Sequence, residues 1–104
     1  MIFLNLAPTY GTIVFMKRKH GKTLQALFRH PISANIKWDD VMGLLRELGA
    51  EILEREGSRV AIILDDNITV QHRPHPRPQM DKGAVADLRD FLKQCGIEPG
   101  RRQA

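Results

Sequence analysis

The sequence predicts an α+β fold: a small αβββα domain in which a three-stranded antiparallel sheet carries helices packed on one face. Two observations point there. Apolar residues recur at helical spacing on both sides of a central stretch, at Trp38, Val41, Leu44, Leu45 and Leu48 and again at Val85, Leu88, Phe91, Leu92 and Cys95. Between them lie three short β-patterned runs, separated by Glu56-Gly57 and Asp65-Asp66-Asn67, residue types that make tight turns. The chain's 104 residues suffice for one domain and not for two ordinary ones.

The chain begins with an apolar stretch, Met1 to Leu6 and Thr12 to Phe15, broken by Pro8 and Gly11. It is too short and too interrupted to cross a membrane. Its positive residues follow the apolar run, the reverse of a signal peptide. Met16 opens the ordinary, basic part of the chain. We therefore read residues 1–20 as an N-terminal extension, with translation expected to start at Met16 and a disordered or strand-forming extension as the alternative. Lys17, Arg18, Lys19, Lys22 and Arg29 then occur with no acid among them. Such a run serves either solubility or an anionic partner.

Lys22 to Phe28 places Leu24, Leu27 and Phe28 at helical spacing and is ended by Pro31. Two turns do not stand alone in water, so this helix needs the domain to hold it. The next helix starts at Trp38, carries Asp39 and Asp40 where negative charge suits the helix dipole, and stops at Gly49. Those two acids point about 100° apart, which argues against a catalytic pair.

The expected strands are 50–56, 59–64 and 68–72. In the last, alternation sets Ile68, Val70 and His72 on one face, which makes His72 a histidine at the core edge. Pro74, Pro76 and Pro78 stiffen the following loop. Asp81 suits the N-cap of a helix that ends at Gly96, with Ile97 folding back over it. The domain is thus expected to span residues 21–99, leaving 100–104 as a tail.

The net charge of +4 favours anionic partners. One cysteine, Cys95, excludes an internal disulfide, fits a reducing compartment, and lies on an apolar stripe as a small buried hydrophobe would. His72 and His75 lack a third ligand at a sensible spacing, so no metal is expected, and no nucleotide fingerprint calls for a cofactor.

The order Leu48-Gly49-Ala50, Gly57-Ser58, Pro74-His75-Pro76, Lys82-Gly83 and Cys95-Gly96-Ile97 resembles the HicA family of toxins over about residues 36–99. The resemblance implies a double-stranded-RNA-binding-like fold. It also implies mRNA cleavage by a cytoplasmic endonuclease, a hydrolase, restrained by a HicB-like antitoxin protein. Gly57 and Ser58 match the pair that precedes the family's catalytic histidine, but the next residue here is Arg59. His75 matches the histidine of the family's proline-flanked loop, and Lys82 with Gly83 matches the start of its last helix.

Metal-free RNA cleavage needs a base for the 2′-hydroxyl, an acid for the leaving oxygen and cations for the charge on phosphorus. Arginine stays protonated, so Arg59 can grip a phosphate but cannot take a proton. His75 and His72 are the candidate substitutes, while His30 lies in a distant loop. Arg59, Arg73, His75, Arg77 and Lys82 are the expected RNA contacts, with a phosphate seated on the N–H groups at the Lys82 helix start. The alternative is a non-catalytic protein-interaction module that keeps the fold. An antitoxin-like neighbouring reading frame and RNA affinity at low salt are the observations that separate the two.

Overall fold

The computed structural model describes residues 16–100. Its elements are α1 (Arg18–Leu27), α2 (Trp38–Glu47), β1 (Glu51–Glu54), β2 (Arg59–Leu64), β3 (Asn67–His72) and α3 (Lys82–Gln94), with a 3-10 turn at Glu56–Ser58. The strands form the expected antiparallel meander in the order β1-β2-β3. Among the described residues no helix is long and apolar enough to cross a membrane. The readings made for residues 1–15 and 101–104 lie outside the described residues.

The core forms where the two helical stripes meet the inner face of the sheet. Val41, Leu44 and Leu45 of α2 and Val85, Leu88 and Leu92 of α3 are fully buried with Val60 and Ile62 of β2. Burying each such side chain is worth about 1.5–3 kcal/mol. Both main helices stop as the sequence indicates. Gly49 follows α2 at φ 95, Gly96 follows α3 at φ 78, and the Ile97 N–H returns to the Leu92 carbonyl at 2.9 Å. Asp81 caps α3, its Oδ1 accepting from the Ala84 N–H at 2.8 Å.

The facing of β3 is the reverse of the expected one. Ile68 and Val70 are 60% and 52% exposed, whereas Gln71 is 4% exposed. The cause is the hairpin register. The Asp65-Asp66 turn sets Asn67 opposite Leu64, so Thr69 and Gln71 share the inner face with Ile62 and Val60. His72 therefore lies on the outer face and is exposed, not at the core edge.

The first helix starts at Arg18, four residues before Lys22, and is docked from both sides. Its His20 is buried over Gly43 of α2, where an added Cβ would stand 3.0 Å from the imidazole Cε1. A side chain at position 43 would force the imidazole to give way. The same ring places Nε2 3.4 Å from the Glu47 carboxylate, close enough for an ion pair but without hydrogen-bond alignment.

From α3, the buried Arg89 donates through Nε to the Leu27 carbonyl at 3.0 Å and through a terminal nitrogen to the Arg29 carbonyl at 3.1 Å. A cation thus satisfies the orphan carbonyls at the C-terminus of α1. A helix too short to persist alone becomes a fixed part of the domain.

Candidate nucleic-acid interface

The turn between β1 and β2 decides how the outer face is built. Gly57 and Ser58 both adopt left-handed backbone, at φ 68 and 66. Glycine does so freely, while a left-handed serine costs about 1–2 kcal/mol. Arg59 leaves this turn and folds back on it, its Nε–H donating to the Glu56 carbonyl at 3.0 Å. That bond uses one of five guanidinium N–H groups and leaves the four on the terminal nitrogens for an anion.

The Arg55 N–H donates to the Arg59 carbonyl at 2.7 Å, which continues the β1–β2 ladder by one residue beyond the Glu54–Val60 pair. On β2–β3, Arg59 stands directly opposite His72. Opposed residues of an antiparallel pair project to the same face with Cβ atoms about 4.5–5.5 Å apart. Arg55, Arg59 and His72, all exposed, therefore form a transverse row of two guanidiniums and an imidazole at one end of the outer face.

The next rows inward are apolar: Leu53–Ala61–Val70, then Ile63–Ile68 beside Glu51. The outer face thus passes from a cationic end to an apolar middle.

The other expected contacts are distributed differently. Arg73 alternates to the inner side of the sheet, where it is ion-paired with Glu54 and lies 5.8 Å over the ring of Trp38. A cation already held by a carboxylate and an indole gives up both to meet a phosphate. Trp38 is buried, and its Nε1 has no hydrogen-bond partner among the described residues.

His75 and Arg77 are exposed on the proline loop. That loop folds back along residues 36–38, with the Trp38 N–H on the Pro78 carbonyl at 2.9 Å and the Met80 N–H on the Ile36 carbonyl at 2.8 Å. Lys82 is exposed at the first position of α3. The helix start is less open to phosphate than the sequence indicates, because the Asp81 carboxylate already occupies the Ala84 N–H and brings its own negative charge.

The fold thus joins Arg59 to His72 and sets Arg73 on the opposite face. Sequence reasoning missed Arg55. Reading Glu56-Gly57 as the turn pairs Arg55 with Ser58, whereas the three-residue turn observed pairs it with Arg59. One residue of slip moves a side chain to the other face. The signal lay in Gly57-Ser58, a pair able to turn left-handed twice in succession.

Among the described residues no three His, Cys, Asp or Glu side chains group closely enough to hold a metal ion. What the row offers is cation and proton chemistry: guanidiniums for an anion, and an imidazole nitrogen able to accept a proton.

No curated protein and no solved structure matches the chain. A family model described as HicA toxin of bacterial toxin–antitoxin matches residues 38–97, which run from the first residue of α2 to Ile97 over the C-terminus of α3. The match takes in the whole αβββα unit and more than half of the chain, and so the chain belongs to the HicA toxins of bacterial toxin–antitoxin systems.

Proposed function

We propose that this toxin binds RNA across the Arg55–Arg59–His72 row and cleaves it slowly, with His72 as the base. The observation that carries the reading is the direct cross-strand opposition of Arg59 and His72 on the open face. The guanidinium at position 59 keeps a phosphate grip where the family resemblance implies a histidine. The imidazole removed from that position is supplied by the neighbouring strand.

In this reading the two arginines hold the non-bridging oxygens of one phosphate by charge-assisted hydrogen bonds. His72 takes the proton of the adjacent 2′-hydroxyl, whose oxygen forms a bond to phosphorus as the bond to the 5′-oxygen breaks. The products are a 2′,3′-cyclic phosphate and a 5′-hydroxyl, the latter protonated by water. Positioned acid–base catalysis contributes about 10²–10⁴ in rate, and a site with a base but no placed acid keeps only part of it.

Cleavage of a labelled RNA in chelator tests the assignment, with His72→Ala and His75→Ala compared against the parent. The expected result is loss of cleavage in His72→Ala with RNA affinity nearly kept, and little change in His75→Ala. Unchanged cleavage by His72→Ala would overturn the assignment, as would a loss confined to His75→Ala.

A second reading concerns the antitoxin and rests on the exposure of Ile68 and Val70 at 60% and 52%. Two exposed aliphatic side chains on one sheet face suit a protein partner better than a nucleic acid. A partner seated there lies directly beside His72 and Arg59, so one contact both buries the apolar rows and closes the cationic end.

A further inference from the structure

The basic run of α1 falls outside the matched residues 38–97, and the row on the sheet does not account for it. In the fold it lines a groove of about 450 Å³ between α1 and the residues leading into α2. Lys19, Lys22 and Arg29 reach this groove from α1 and its C-terminal end, and Lys37 from the approach to α2. All four are exposed, and none is ion-paired within the described residues. Asp39 and Asp40 line it on the α2 side beside Lys37, so the groove carries four cations and two carboxylates.

Two features make the groove a built one. His20 seated on Gly43 fixes the distance between α1 and α2, and Arg89 fixes the C-terminal end of α1 through the carbonyls of Leu27 and Arg29. The side chains of Lys22 and Arg29 are left out of both attachments. The groove is also continuous with the proline loop. Lys37 bridges to Gln79, and Asp39 lines both the groove and the smaller cleft beneath Pro74, Pro78 and Arg73.

We propose that this groove is a second seat for the phosphate backbone of the RNA, one that prolongs the path from the proline loop onto α1. The proposal rests on the RNA-binding reading given above. Its ligand is a phosphodiester chain recognised by charge, without base readout, because the lysines offer mobile point charges rather than paired donors at fixed geometry. The groove adds affinity and length of contact, while proton transfer stays with the row on the sheet. An RNA too short to leave the row does not feel it.

The test is the salt dependence of binding to a long single-stranded RNA, for the parent and for Lys22→Ala/Arg29→Ala, with a short oligonucleotide substrate as control. The slope of log K against log salt should become shallower by about 1.4, at about 0.7 per lost phosphate contact, irrespective of RNA sequence. Cleavage of the short substrate should stay as in the parent. Both substituted side chains are exposed, and a charge reversal, Lys19→Glu/Lys22→Glu, should weaken binding further.

An unchanged slope in both variants overturns the proposal while leaving the RNA-binding reading intact. A parent with no salt-dependent RNA affinity overturns both. Lost affinity for an acidic antitoxin with the RNA slope retained would assign the groove to a protein, and that also overturns it.

Discussion

Arg59 and His72 stand directly opposite one another on β2 and β3 and share the exposed face of the sheet. The pairing brings together two residues thirteen positions apart, at the end where Arg55 adds a second guanidinium. In the proposed reading it divides the work between two strands, phosphate grip on Arg59 and proton transfer on His72.

Substituting Arg59→His should raise cleavage. The change restores an imidazole beside His72 and provides acid and base at one phosphate, a gain of up to about 10²–10⁴. Initial rates on one RNA, with and without chelator, check it. A variant that folds like the parent and cleaves no faster argues that the row is not where the phosphate lies.

Removing the anchor of α1 should cost stability. Arg89→Met keeps much of the buried stem but leaves the Leu27 and Arg29 carbonyls without their charged donor. A loss of about 1.5–3 kcal/mol is expected from urea unfolding, with early hydrogen exchange in α1. Stability equal to the parent would show that α1 is held without this anchor, by its apolar stripe and by His20.

The apolar rows should matter to a partner and not to the fold. Ile68→Lys with Val70→Lys changes side chains already more than half exposed, so the melting temperature should move little. Affinity for the antitoxin should fall sharply in calorimetry, because charge replaces the apolar centre of the contact. Tight binding by this variant would place the antitoxin elsewhere.

Alkaline conditions should expose the environment of Cys95. Burial raises its pKa above the ordinary 9.0; donation from Asn67 opposes that, and the charge of Asp65 adds to it. A thiol whose folded pKa exceeds its unfolded one favours the folded state below about pH 9, and that contribution fades as pH rises through the folded pKa. Alkylation at neutral pH should therefore be slow until the protein unfolds. Cys95→Ala should show a shallower loss of stability above pH 9 than the parent.

Periodicity, capping residues and turn chemistry are local properties, and through them the sequence by itself determined the αβββα order. Trp38 to Leu48 and Val85 to Cys95 are helical because their apolar residues repeat at that spacing, and Gly49 and Gly96 end them because few other residues turn left-handed cheaply. That Arg59 stands where the resemblance implies a histidine is an expectation drawn from residue type and order alone. The tertiary structure decided which side chains share a face. The exposure of Ile68 and Val70, the transfer of His72 to the outer face and the enlistment of Arg55 all follow from hairpin registers set by turn length and by the burial of Val60 and Ile62. Strand alternation repeats every two residues, so it gives two faces but not which of them is inward. The docking of α1 was beyond local signals for a related reason: it depends on Arg89 and Gly43, residues far along the chain whose roles exist only once α1 lies beside them.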